Sequence, residues 1–206
     1  MSRCASIASS LLTLVGLLAL PAAAQEVASN GYTGVCASIS GNARSDESVW
    51  VDCQLTDGMN EISAGLISRN DGVDSSLWRL TDGVRLAFST AEITAQDALL
   101  KFDADELIMG EITGEPVVIS DFVEERNAAV RGTAPSVSYD SRSGTVRLTG
   151  QATLAVGDNQ VRGCDLIYNF NDKSYSAGAS DACAGVTLQL APPEDSDSPR
   201  GQAESP

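Results

Sequence analysis

From about residue 25 onward, apolar and polar residues alternate at every second position in short stretches, and helical spacing is nearly absent. Val146-Arg147-Leu148-Thr149 places apolar side chains on one face of a strand and polar ones on the other. Leu166, Tyr168 and Phe170 share one face while Ile167 and Asn169 take the opposite one, and Val186, Leu188 and Leu190 repeat the pattern near the C-terminus. Turn signals fall between these runs at Asp71-Gly72, Asp82-Gly83, Ser143-Gly144 and Gly157-Asp158-Asn159. Short strands separated by frequent turns predict an all-β sandwich, barrel or jelly roll.

The chain also repeats itself without a gap at an offset of 68 residues. Leu77-Trp78-Arg79-Leu80-Thr81 lies over Thr145-Val146-Arg147-Leu148-Thr149, and Leu86-Ala87, Asp97, Phe102 and Gly110 meet identical residues in the second copy. One inserted residue would turn every following side chain to the other face, so a repeat that keeps its parity implies two copies of a meander stacked on one another. One face then collects Trp78, Leu80, Val84, Leu86 and Phe88 from the first copy, and Val146, Leu148, Ala152, Leu154 and Val156 from the second. Ile93, Leu100, Phe102, Val161, Leu166, Tyr168 and Phe170 face them from the return strands. Two readings of that face remain: a dry core, or an apolar groove in which each buried methylene of an acyl chain gains roughly 0.8 kcal/mol. Alternation alone is the same in both.

Residues 1–24 change the domain picture. Arg3, the apolar run Leu11 to Leu20 and the Pro21-Ala22-Ala23-Ala24 site read as a cleaved secretory signal, too short for a membrane span. Export leaves four cysteines: Cys36, Cys53, Cys164 and Cys183. An even number in an oxidising compartment suggests disulfides with three connectivities open; the pairs close in sequence would each add roughly 3 kcal/mol. No C-x-x-C pair is present, so no metal site is expected.

Charge and composition exclude more than they assign. Thirteen basic against 28 acidic residues give a net charge of −15, which excludes a free-standing nucleic-acid binder. Histidine is absent, which removes imidazole bases and Ser-His or Cys-His nucleophile pairs. No phosphate-binding G-x-x-x-x-G-K-[ST] loop exists, and Asp103-Ala104-Asp105-Glu106 lacks the spacing of a calcium loop; it reads as a solvated strand end, as Glu124-Glu125-Arg126 reads as a charged turn. No cofactor and no enzymatic activity are expected. The stretch from Pro192 to Pro206 is acidic and Pro-rich and is expected to be disordered.

An ordered set of motifs then points to a family. Val146-Arg-Leu-Thr-Gly-Gln-Ala-Thr-Leu154, followed by Asn159-Gln-Val-Arg-Gly163 and Leu166-Ile-Tyr168, resembles the OstA-like, LptA-like family of periplasmic lipopolysaccharide-transport proteins. Val130-Arg-Gly132-Thr-Ala134 with Tyr139, and Val186-Thr-Leu-Gln-Leu190-Ala-Pro192, echo further family elements; Arg79 to Leu86 matches less closely. The resemblance implies an open, twisted β-jelly roll over residues 61–193, preceded by an extension over residues 25–60 and followed by the tail. It implies a periplasmic carrier whose groove shields the acyl chains of lipopolysaccharide or a related glycolipid. Its partners would be OstA-like domains of the inner- and outer-membrane components, or further copies joined head to tail. Glu61 and Ile62 would mark one docking edge, and Val186, Leu188 and Leu190 the other. Two features depart from the pattern: Ala64-Gly65 stands where an Ala-Asp pair is common, and Tyr32 to Asp57 has no family counterpart, which suggests an added hairpin capping the N-terminal edge. The alternative is a secreted β-sandwich interaction module with a dry core.

Overall fold

The structure is a computed structural model that describes residues 24–42, 44–178 and 185–191. The predicted signal, Cys183 and the acidic tail lie outside the described residues. Fourteen strands form one continuous antiparallel sheet: β1 (Gln25–Ser29), β2 (Tyr32–Gly41), β3 (Glu47–Thr56), β4 (Asn60–Asp71), β5 (Ser75–Thr81), β6 (Val84–Phe88), β7 (Ala91–Ala95), β8 (Asp97–Asp103), β9 (Glu106–Val123), β10 (Ala128–Asp140), β11 (Thr145–Val156), β12 (Asn159–Asn169), β13 (Tyr175–Gly178) and β14 (Thr187–Gln189). A single 3-10 turn, Glu124–Arg126, is the one helical element among the described residues.

The sheet folds over on itself because its long strands bend at a common level. One half of β4 pairs β5 and the other pairs β6; one half of β9 pairs β8 and the other pairs β7; and β12 meets β13 at one end and β14 at the other. Two facing layers result, joined along a corner where ladders shift register: between Ala134 and Ser136, and between Thr149 and Ala152. β-bulges bend strands in this way without ending the pairing. The architecture is the open, twisted jelly roll of the expectation, with the repeat copies β5–β8 and β11–β12 following one another along the stack and β9 and β10 between them.

The corner also corrects one turn. Asp82-Gly83 does not reverse the chain: β5 and β6 are not partners of each other, and the chain continues from one layer into the next. Positive φ angles of 64° and 86° at Asp82 and Gly83 make that bend. Gly65 lies against it, where a Cβ would stand 2.8 Å from both the Asp82 Cβ and its carbonyl oxygen. The corner therefore has no room for the side chain that the family pattern carries at this position.

Each half of a bent strand alternates, and in most strands the inward parity changes at the corner, so both halves contribute to two inward rows. In the first layer Trp50, Ile67, Leu80, Ala98, Ile112, Val137, Leu148 and Leu166 are successive register partners. In the second layer the row is Leu55, Ile62, Leu86, Ile93, Ile119, Gly132, Leu154, Val161 and Leu188. The layers interlock across the gap: Leu148 Cδ2 lies 3.0 Å from where a Cβ on Gly132 would be.

Residues 25–56 extend the same sheet rather than forming a separate unit, and this overturns one expected docking edge. Glu61 pairs Thr56 on one side and Ala87 on the other, and Ile62 pairs Leu55 and Leu86, so both lie inside the sheet. Cys36 and Cys53 are register partners on β2 and β3 and are bridged, buried in the core. Cys164 is disulfide-bonded as well. Gly65→Ala should lower stability by about 1–3 kcal/mol through overpacking at the corner, whereas Gly178→Ala, with nothing within 4 Å of the added atom, should change it by less than about 0.5 kcal/mol; urea denaturation of both variants checks the difference.

Candidate functional site: the interior and seam between the layers

Of the sixteen residues expected to line a groove, Trp78, Leu80, Val84, Leu86, Ile93, Leu100, Phe102, Val146, Leu148, Leu154, Val161, Leu166 and Tyr168 are buried, and Phe88, Val156 and Phe170 are partly buried and packed on the core. All lie between the two layers. Their side chains meet each other: Trp78 and Phe102 stack with centroids 4.6 Å apart, and Trp50 meets Trp78 edge-on at 5.4 Å. The interior is thus one continuous apolar face from β2 to β12, closed in this conformation by its own side chains.

Opposite the corner, the strand ends of the two layers meet along a seam held by side chains. At its N-terminal end, the Asn30 side-chain amide in the β1–β2 turn donates to the Ala104 carbonyl in the β8–β9 turn and accepts from Ser76 Oγ at 3.1 Å. Arg69 lies nearby over the rings of Trp50 and Trp78, at 5.6 and 6.0 Å, and pairs with Asp71 at 2.7 Å. Midway, Phe88 of the second layer packs on Tyr139 of the first at 4.9 Å. A cleft of about 320 Å³ opens beside this pair, between Tyr32, Asp57, Asn60, Asp105, Glu106, Leu107 and Ser141.

The third part of the seam is a buried carboxylate. Asp121, on the second-layer half of β9, accepts from Tyr168 Oη at 2.7 Å, Lys173 Nζ at 2.7 and 3.0 Å, Thr90 Oγ1 at 2.8 Å and its neighbour's Phe122 N–H at 2.8 Å. Its side chain is fully buried. Tyr168 and Lys173 belong to the first layer, so Asp121 ties the two layers together. Burial pushes the Asp121 carboxyl up, but the donors from Lys173, Tyr168, Thr90 and Phe122 outweigh it and hold the group below the ordinary carboxylate value. Burial, then the accepting carboxylate, pushes the Tyr168 hydroxyl far above its usual value.

Sequence reading placed Tyr168 in the interior but missed Asp121, Lys173, Thr90 and Asn30. A signal for Asp121 was present: Val117, Ile119, Asp121 and Val123 share one parity, so the carboxylate sits at an inward position. At the far rim, Val186, Leu188 and Leu190 are 41%, 54% and 65% exposed, and Tyr175 on β13 is 42% exposed. Leu188 is the last rung of the second-layer row. Among the described residues no group of His, Cys, Asp and Glu is arranged to hold a metal ion, and no helix is long and apolar enough to cross a membrane.

A bent two-layer β-roll with an apolar interior and side-chain-held seam is the frame on which the comparisons fall. Residues 74–174 match the sequence profile of the LptA/(LptD N-terminal domain) LPS transport proteins, a stretch that runs from the β4–β5 turn through the end of the Asp121 cluster. Over those residues the chain is similar to the LptA-like lipopolysaccharide-transport family. Among solved structures, the chain is similar to LptH, the LptA homologous periplasmic component of the conserved lipopolysaccharide transport device from Pseudomonas aeruginosa, with 11% identity and a TM-score of 0.44 over 78% of this chain and 95% of that one. No curated protein sequence matches the chain.

Asp121→Asn should cost about 2–4 kcal/mol by leaving the Lys173 ammonium without its charge partner in a mostly buried site. The native pKa of Asp121 is depressed, so its contribution is complete above the unfolded carboxylate pKa and is lost as pH falls below about 4. Urea midpoints measured from pH 7 to pH 2 should show that acid limb in the wild type, with the Asp121 part missing from Asp121→Asn.

Proposed function

We propose that this chain is a periplasmic, non-enzymatic carrier that shields the acyl chains of lipopolysaccharide or a related glycolipid between its two layers during transport from the inner to the outer membrane. The observation that carries this reading is the continuous apolar face between layers that share ladder bonds at the corner but only side-chain contacts at the seam. A conventional sandwich core could be built with far less sheet. Here the inward rows run uninterrupted for the whole length of the stack and stay apolar to Leu188 at the rim. Each methylene taken from water by such a face gains roughly 0.8 kcal/mol, so a chain of lipid A length would be held firmly.

Docking belongs to the same proposal. An open sheet end with unpaired strand edges is a template for a further sheet. The β13–β14 rim, with Tyr175, Val186, Leu188 and Leu190 exposed, is the surface that would receive an OstA-like domain of a membrane component or a second copy of the chain. At the opposite end β1, β2 and β3 and the Cys36–Cys53 bridge lie outside β4. Docking there would use β1 and the free half of β2 rather than Glu61 and Ile62.

The dry-core module is the competing reading, and the burial of Trp78, Leu80, Leu100 and Leu148 to 0% exposure favours it. The two are separated by replacing Phe88, Val156 or Phe170, the partly buried interior positions, with a photo-reactive phenylalanine and irradiating cells that export the protein. Glycolipid adducts are expected at these three positions and none at outward-facing Met109 or Ile167. Adducts at neither set, with lipid-free organic extracts of the purified protein, would establish the dry core. Leu148→Asp, in contrast, should unfold the roll whichever reading holds, because it places a carboxylate without donors against Gly132.

A further inference from the structure

We infer that the Asp121, Tyr168 and Lys173 cluster is a latch, and that acyl chains reach the interior sideways by parting the seam at this end of the roll. The inference rests on the carrier reading and names how cargo gets in. Three observations converge on this part of the seam rather than the other two. The N-terminal part is bound by a cluster of aromatic rings, Tyr32, Trp50, Trp78 and Phe102, and by a disulfide across β2 and β3. The middle is plugged by the Phe88–Tyr139 stack. In the C-terminal part Phe170 packs on Tyr139 and Tyr168 within the first layer, and the disulfide-bonded Cys164 lies on β12. The side-chain hydrogen bonds from layer to layer there converge on one carboxylate, and the first-layer side ends in the short strand β13 and the turn that carries Lys173.

The chemistry of the latch suits reversible closure. A leucine at position 121 would continue the inward row of Val117 and Ile119 and seal the layers more firmly. A buried carboxylate and ammonium give up hydration on closing and regain it on opening, which narrows the difference between the two states. The Lys173 side chain is 24% exposed, while the carboxylate it pairs with has no exposed surface. Its backbone has a φ of 57°, a left-handed conformation unfavourable for a lysine, within the turn from which its ammonium spans from the first layer to Asp121 and Thr90. Releasing that side chain removes the contacts that join this turn to Asp121 and Thr90 in the second layer.

The test uses the exported full-length protein and dansyl-undecanoic acid as an acyl probe, followed by stopped-flow fluorescence. Lys173→Met should speed probe uptake about tenfold by weakening the closed state, and Tyr168→Phe, a milder change, should speed it less. Thr90→Cys/Lys173→Cys joined by a short bis-maleimide should take up the probe at least about tenfold more slowly than the same variant capped with N-ethylmaleimide. Equal rates in the wild type, Lys173→Met and tethered protein would overturn the latch while leaving the carrier reading intact. If no protein binds the probe, the carrier reading fails and hydrogen exchange decides the latch. Faster exchange at Ala91–Ala95 and Leu166–Asn169 in Lys173→Met then supports a seam that opens there, and unchanged exchange overturns it.

Discussion

Everything in this fold depends on strands bending together. A ladder of antiparallel strands can turn through a corner only if each strand yields at the same level, because a straight neighbour would break its hydrogen bonds to a bent one. The devices differ from strand to strand: no side chain at Gly65, left-handed residues at Asp82 and Gly83, and a register shift after Thr149 with Gly150 lying on the Pro135 ring. Their common position sets the fold. In most strands the inward parity changes at that level, as between Ile67 and Ile62 in β4 and between Ile112 and Ile119 in β9. Both halves therefore turn apolar residues to the space between the layers, and two apolar rows face each other from end to end.

That geometry places strong and weak joints on opposite sides of the roll. The corner is covalent and laddered. Across the seam the strand ends are joined by rings, amides and one ion-paired carboxylate, each local and each separately breakable. Asp121 is the most exacting of these contacts, since a carboxylate with no exposed surface is tolerable only while all its donors are in place. Opening there changes the hydration of two charges, and opening at Trp78 would expose a large aromatic cluster.

Most of the interior was legible as alternation within each half-strand, and parity is kept where the chain passes Asp82-Gly83, with Leu80 and Val84 both buried. What the residues could not reveal was that this pair makes a corner instead of a hairpin, since both need left-handed backbone at the same residue types. The N-terminal strands were harder to read for a related reason. Trp50, Cys53 and Leu55 are all buried, so the alternation slips by one at Asp52, whose φ is 50°. With that slip the segment reads as an irregular extension, and β4 is mistaken for an edge. Asp121 stood at an inward position in plain view, but its partner Lys173 is 52 residues away in a turn, and no local pattern connects them.

The order of strands in the sheet carries a consequence for how the chain reaches this state. From β1 to β4 and again from β9 to β12, each strand pairs with the one before it in sequence, and the remaining pairings skip at most two intervening short strands. Hairpins of this kind need little loop closure, so assembly can advance from the N-terminus as residues become available without waiting for the far end. The Cys36–Cys53 bridge joins the first long hairpin at a separation of 17 residues. An oxidant that acts early therefore meets a native pair of thiols before the rest of the roll has been made.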